Sequence, residues 1–587
     1  MIEAPRRSPA QVSAQAAAPM PRWALASLLI AFIVPGLFGH DLWPQDAAGF
    51  GRMWAMAHGS ATDWLLPNVA GASATQGGPL PYWFGAILIR LVGSIVGDTN
   101  AAAAANLFWY PIAIVALWHA VYRLARRDEA QPVAAAFGGE ASRRDYARLM
   151  ANISALLTIG TIGMIWRLHQ TQANAASVAI VAVTILAISI LEWHLVLAAL
   201  LAGVSVGALA LTQGPLPAAG LLLGCLVVFW RTRRSSTTVG VGTMALVSLL
   251  LTAVALGVAL SWPLAAFGWA PLEARYYFDA WAAALPFGWL SGEDAVWLVR
   301  TSAWFLWPLW PLAGWAVYAW RSSLGGAHLE RPLLILGGLA LAMLFSAPLD
   351  ERAVIVLIPP LAVLAALGAT TLRRALDNVI DWLAIAVFSL SLVFFWAYYL
   401  AMELGAPRAM AASIAHLAPG YVPQVHALAL TMAVVVTAAW GQLIAWRVLR
   451  RPRVLWRGPM LAAVGVTTVW IAANLLFLPA VDYVFSYRTF AVELAAQLQA
   501  RGLAQGCVQA HRIPLGERAI IAYYGKIRFD RDGSSETCRL ALHHDSRRSS
   551  LDDDPPPGVR GMWELSWEGR RRARPDERWR IWVRTAR

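Results

Sequence analysis

Fourteen apolar runs dominate this chain, and most are long enough to cross a bilayer as a helix. They cover residues 23–39, 81–97, 101–122, 150–166, 175–193, 195–212, 214–230, 238–262, 296–320, 333–347, 353–371, 380–401, 424–446 and 459–479. About 30 Å of hydrocarbon takes about 20 helical residues. Of the 587 residues, 58% are hydrophobic and only 14% charged, and the mean hydropathy is +0.54. A water-soluble fold of this size would expose far too much apolar surface. The formal charge of +13 sits in bursts at the ends of the runs. It therefore reads as topology-setting arginine, and no nucleic-acid partner is expected.

The charges then select a topology. Arg6, Arg7 and Arg22 precede the first run, and no small-x-small cleavage site follows it, so an uncleaved anchor is expected. If every run crossed, the segment with Arg123, Arg126, Arg127, Arg143, Arg144 and Arg148 would lie outside, against the positive-inside rule. Run 81–97 is the weakest. It carries Arg90 near its middle and Gly85, Gly93 and Gly97. An arginine there costs several kcal/mol in a lipid-facing span. With this run lying in the interface, about thirteen spans remain, the N-terminus is cytoplasmic and the C-terminus periplasmic. Loops 40–100, 167–174, 263–295, 347–352 and 403–423 then share the outer face with the tail.

Three segments follow from this reading: a cytoplasmic N-terminal segment 1–22, a membrane domain 23–480, and an extracytoplasmic α/β domain 481–587. In the last, Phe490 to Leu498 has helical spacing, whereas Ala519 to Tyr524 and Trp579 to Val583 read as strands. Asp552 to Pro557 is a breaker. Cys225 lies in an apolar run; Cys507 and Cys538 are free to pair if the tail is outside the cytoplasm. The adjacent His543, His544 and Asp545 have no spacing that makes a metal site, and no Walker, Rossmann or zinc pattern occurs.

The first outer loop holds Asp41, Asp46 and Asp63. Asp46 is followed by Phe50, then Gly59, then Asp63-Trp64-Leu65-Leu66-Pro67, then Gly71 and Pro79-Leu80-Pro81-Tyr82-Trp83. Further along stand Leu211-Thr212-Gln213-Gly214-Pro215 and Phe345-Ser346, Arg352 and Pro359-Pro360. In that order, these segments resemble motifs of the polyprenyl-phosphate-sugar-dependent glycosyltransferases of the GT-C fold, such as the lipid A aminoarabinose transferases and the protein O-mannosyltransferases. The resemblance spans roughly residues 23–370. It implies an all-α polytopic membrane enzyme that moves a sugar from a polyprenyl-phosphate donor to an envelope acceptor (lipid A, glycan or protein). Its partners would be that donor, membrane lipids and the acceptor.

The chemistry suits an acid in this loop. The acceptor hydroxyl or amine must lose a proton as it attacks the anomeric carbon, and a carboxylate takes it. Asp46 is the expected base and Asp41 the fallback; Asp46 also suits an N-cap for a helix starting near Ala47. Arg275, Arg352 and His169 are candidates for the donor phosphate, since arginine binds phosphate bidentately. Asp63, Trp64, Tyr82, Trp83, Asn174 and Glu273 are candidate substrate-loop residues. The sequence also departs from the pattern. Ala47 stands where a glutamate follows the aspartate, Gly77-Gly78 replaces Glu-Lys, Gln213 replaces lysine, and Asn174 replaces an acid. The Glu-Lys pair helps hold a metal in the aminoarabinose enzymes, so no cofactor is expected and a divalent cation is disfavoured. The competing functions are a non-catalytic carrier-binding relative and a lipid-carrier flippase. A flippase tends to carry charges near mid-span, whereas here they sit at span ends.

Overall fold

The computed structural model describes residues 8–134, 138–235, 240–503, 506–532, 538–545 and 563–584. Arg6, Arg7 and the Asp552–Pro557 breaker lie outside these. The chain begins with α1 (Arg22–Ile33), followed by a loop layer of α2 (Pro44–His58), α3 (Ala61–Leu65), the short hairpin β1 (Asn68–Val69) and β2 (Ala72–Ser73), α4 (Leu80–Val96) and α5 (Asp98–Ala103). The bundle continues with α6 (Ala105–Ala125), α7 (Arg143–Ile159), α8 (Ile162–Arg167), α9 (Asn174–Ser189), α10 (Leu195–Gln213), α11 (Pro215–Ser235) and α12 (Val241–Trp269). Next come α13 (Pro271–Ala283), α14 (Gly292–Phe305), α15 (Leu309–Ala319), α16 (Ala327–Met343), α17 (Glu351–Ile355) and α18 (Ile358–Ala369). The last bundle helices are α19 (Arg374–Leu404), α20 (Arg408–Leu417), α21 (Ala427–Arg450) and α22 (Arg457–Phe485). The tail holds α23 (Arg488–Ala500), β3 (Val508–His511), α24 (Leu515–Gly525), β4 (Leu540–Asp545), β5 (Trp563–Arg571) and β6 (Arg574–Arg584).

This is a multi-pass helical membrane protein with a small C-terminal β domain. Among the described residues, seven helices are long and apolar enough to cross a membrane, fewer than the thirteen spans expected. The other apolar runs are cut short. Run 296–320 is two helices, α14 and α15, separated at Trp307-Pro308, where proline cannot extend the hydrogen-bond ladder. Run 353–371 divides into α17 and α18. The bundle is built from the inside out by residue size. α9 and α18 are buried along almost their whole length, and both are rich in alanine, which lets helices approach closely. α19 and α21 expose most of their leucine and valine, as lipid-facing helices do.

The loops segregate to two ends. At one end the arginine-rich segments interlock: Arg127 and Arg331 both bind Glu192, Arg231 binds Glu330, and Ser13 bridges Glu140. At the other end lie α2 to α5, loop 167–174, α13 and the tail. The α4 helix is one of this layer. Its Ile87, Leu91 and Ile95 are exposed while Tyr82, Ala86 and Ile89 are buried, the stripe of an amphipathic helix. Arg90 reaches back to α2. Its Nε donates to Ala57 O at 2.9 Å, satisfying a carbonyl at the C-terminus of α2.

In the tail, strand order is β3-β4-β6-β5. β3 and β4 run parallel, joined through α24, and the other pairs are antiparallel. Trp579 to Val583 lies in β6 as expected, and Phe490 to Leu498 lies in α23. Ala519 to Tyr524 is not a strand but the body of α24. Its Ile-Ile and Tyr-Tyr pairs favour β structure locally, yet Ile520 and Ile521 are both fully buried in packing against α2 and α23, and tertiary contact overrides propensity. Cys507 and Cys538 form a disulfide that ties together the starts of the two parallel strands.

Candidate functional site

The first loop is pressed between the bundle and the tail. α2 begins at Pro44 with Trp43 as N-cap, so Asp46 lies in the first turn and is not the cap. Its carboxylate, 4% exposed, accepts from the Thr171 backbone N–H and from Thr171 Oγ1 at 2.5 Å. One turn on, Gly49 touches the same loop: a Cβ there would stand 1.8 Å from Thr171 O. Burial pushes the Asp46 carboxyl above the ordinary carboxylate range, opposed by the two Thr171 hydrogen bonds and by nearby His40. A small pocket beside it is lined by His40, Trp43, Trp166, His169 and Trp470. His169 is held between the backbone carbonyls of Phe32 (Nε2, 2.8 Å) and Ile165 (Nδ1, 2.5 Å), and burial lowers its pKa.

A larger cavity of about 530 Å³ opens on the same end of the bundle. Segments far apart in sequence meet around it: Thr75 to Gly77 with Tyr82, Thr212 to Pro217 and Ser346 to Ala353, with Ala173 and Ala283 to Phe287 completing the wall. Trp281 Nε1 donates to Gly77 O at 2.9 Å and Tyr277 Oη to Ala74 O at 2.9 Å, so α13 fastens the strap from Thr75 to Gly78. That strap lies directly on the end of α10. A Cβ on Gly78 would stand 2.3 Å from Leu211 O, and Gly78 N–H donates to Thr212 O at 3.2 Å. Gln213 bridges two other walls, donating to Ser177 Oγ at 2.8 Å and Arg352 O at 3.0 Å. Arg352 is paired with Asp350, with Nε 2.6 Å from Oδ2, and its Nη1 reaches Gln76 Oε1 at 3.4 Å.

The sequence candidates divide accordingly. Tyr82 and Arg352 line the cavity, beside Gly77 and Gln213. Asp46 is one remove away, bonded to Thr171 two residues before the cavity residue Ala173. Asn174, 2% exposed, adjoins that residue at the start of α9. Arg275 and Glu273 are not among the cavity walls. α13 buries Ala274 and Tyr277, which turns 273 and 275 outward to solvent. Asp41 lies at the junction with the tail, accepting from Ser486 Oγ at 2.9 Å and Arg488 Nη1 at 3.1 Å. Asp63 is engaged by Ser60 Oγ (2.8 Å), Asn68 Nδ2 (2.8 Å) and Arg531. Trp83 Nε1 donates to Trp64 O at 2.7 Å, and Trp64 lies under Arg90; both brace α4.

Sequence reading passed over Gln76, Thr171 and Arg52. Arg52 carried a signal: it is the single ionisable side chain between Asp46 and His58, in a helix otherwise of small and apolar residues. A metal does not fit this site. Positions 77 and 78 have no side chain, and among the described residues no three His, Cys, Asp or Glu converge.

No protein-family model matches the sequence, and no curated protein matches it. Solved structures do match. ArnT from Cupriavidus metallidurans bound to undecaprenyl phosphate superposes with a TM-score of 0.65 at 15% identity, over 96% of this chain and 98% of that one. The apo state of the same enzyme gives 0.62 at 15% identity, over 95% and 97%. The chain has the GT-C fold of these structures along nearly its whole length.

Proposed function

We propose that this chain is an integral-membrane glycosyltransferase that takes a sugar from a polyprenyl-phosphate carrier and passes it to an envelope acceptor. The site would face the periplasm of the inner membrane, with the N-terminus cytoplasmic. One observation carries the reading: three dispersed segments singled out by resemblance meet around a single cavity with an arginine in its wall. The carrier class is supported by the ArnT structure of the same fold, which holds undecaprenyl phosphate.

In this mechanism the prenyl tail lies among the helices and the phosphate enters the cavity. Arg352 exchanges Asp350 for phosphate oxygens, a bidentate pairing that suits a guanidinium. The acceptor hydroxyl or amine takes the position now held by the Thr171 hydroxyl against Asp46. As its heteroatom bonds to the anomeric carbon, its proton passes to the Asp46 carboxylate. The bond from that carbon to the phosphate oxygen breaks, and the electron pair stays on the phosphate, where Arg352 offsets the charge. Burial raises the Asp46 pKa above the ordinary carboxylate range, which makes it a stronger base than an exposed carboxylate.

Reconstituted protein is expected to crosslink a photoreactive polyprenyl phosphate. Cells with the gene are expected to carry a glycan, glycoprotein or lipid A species, seen by mass spectrometry, that deletion removes. Binding without any such species would favour a non-catalytic carrier-binding protein, a reading kept in play by Gly77 and Gly78. Absence of both would end the proposal.

A further inference from the structure

Five arginines are buried among the described residues: Arg52, Arg331, Arg518, Arg571 and Arg580. Four have a carboxylate. Arg331 has Glu192, Arg518 has Asp530, Arg571 has Glu577, and Arg580 has Asp545. Arg52, 5% exposed, has none among the described residues. Its Nη1 donates to Gln76 O at 2.8 Å, its guanidinium stands 4.7 Å over the Tyr82 ring, and its Nε has no partner. A guanidinium does not shed its proton, and a buried charge without a counter-ion is costly.

The two groups Arg52 touches, Gln76 and Tyr82, both line the cavity. The cation in the cavity wall, Arg352, is already neutralised by Asp350. No side chain from the adjoining strap supplies charge, because Gly77 and Gly78 press on the carbonyls of Thr212 and Leu211. The uncompensated positive charge beside this cavity is therefore that of Arg52.

We propose that Arg52 is the standing counter-charge for the phosphate of the cavity's ligand, which enters at the Gln76–Tyr82 wall and supplies the anion this arginine lacks. The assignment rests on the cavity being a polyprenyl-phosphate site and adds the residue that selects the charged headgroup. It is a binding residue and takes no part in proton transfer.

The test uses the full chain in nanodiscs, with undecaprenyl phosphate and uncharged undecaprenol as probes. Arg52→Met is expected to weaken the phosphate at least tenfold and leave the alcohol within twofold, while Arg52→Lys keeps most of the preference. The ligand-free melting temperature of Arg52→Met is expected to hold or rise, because an uncompensated charge is removed; an arginine with a purely structural role would lower it. If the wild type prefers the phosphate and Arg52→Met keeps that preference, the role of Arg52 is overturned and the functional reading stands. If the wild type does not distinguish the two lipids, the functional reading fails. Inorganic pyrophosphate then decides: stabilisation of the wild type but not of Arg52→Met retains Arg52 as an anion site, and equal effects overturn it. Should Arg52→Met not fold, Arg52→Lys and Arg52→Gln are compared with the same probes, and an unchanged phosphate preference in both overturns the proposal.

Discussion

The disulfide offers the sharpest test, because it joins stability to topology. Cys507 and Cys538 are 31 residues apart, and the bridge shortens the unfolded chain by a loop of that size. The chain-entropy relation gives about 3.7 kcal/mol for it at 25 °C. A domain of this size loses about 1.5 kcal/mol per molar urea, so the double variant Cys507→Ser/Cys538→Ser should unfold about 2.5 M earlier. Pulse proteolysis of the tail in native membranes, across a urea series, reads that midpoint directly. The same cysteines report their compartment, since such bonds persist only where thiols are oxidised. In intact cells a bulky maleimide should label neither residue until a reductant is added. Free thiols in untreated cells would refute the periplasmic tail and, with it, a carrier site on that face. A bridged protein whose midpoint moves by less than about 0.5 M would refute the entropic argument alone.

The other expectations concern the site and its support. Asp46→Asn should cut transfer about 10²–10⁴-fold, the usual share of a positioned base, while undecaprenyl phosphate still binds; unchanged turnover would remove Asp46 from the mechanism. Wild-type turnover should also fall off on the acid side at a pH above the ordinary carboxylate range, because burial raises this carboxyl, and a pH–rate profile checks it. Gly78→Ala places a Cβ 2.3 Å from Leu211 O, backbone that cannot swing aside. It should cost about 1–3 kcal/mol and loosen the strap, seen as a lower melting temperature and weaker carrier binding. Glu517 in α24 is pushed up to about 7 by burial, with Glu577 adding to the shift. The folded state therefore holds this proton more tightly than the unfolded one. Its contribution to stability is full below about pH 4.5 and is lost as pH rises through 7. Glu517→Gln should flatten that slope in urea midpoints taken at pH 5 and pH 8.

The membrane class and the segregation of loops to two ends were legible, because hydropathy and arginine placement act through solvent alone. The cavity segments were legible as motifs, although their meeting was not: Gln76, Gln213 and Arg352 become neighbours only through the packing of α10, α13 and α17. Asp46 misled as a cap because Pro44, tolerated at the first helical position, starts α2 two residues earlier. α24 misled because its isoleucines and tyrosines favour strands until α2 and α23 cover them. Arg275 looked equal to Arg352 as a phosphate ligand. Only the pair buried from α13, Ala274 and Tyr277, shows which way that helix turns.

The seating of α2 has a consequence for how the protein comes into being. Gly516 lies so close to Pro44 that a Cβ would stand 2.0 Å from its carbonyl oxygen, and Arg518 holds Ala70 O at 3.0 Å. The helix carrying Asp46 and Arg52 leaves the ribosome long before the surface of α24 that seats it. Until then this loop waits for a lid some 450 residues behind it. A chain halted at residue 503 would hold α1 to α23 and still leave Phe50 and Trp54, which pack on Tyr523, bare on the tail side. Synthesis of α24 is thus the event that closes the layer over α2.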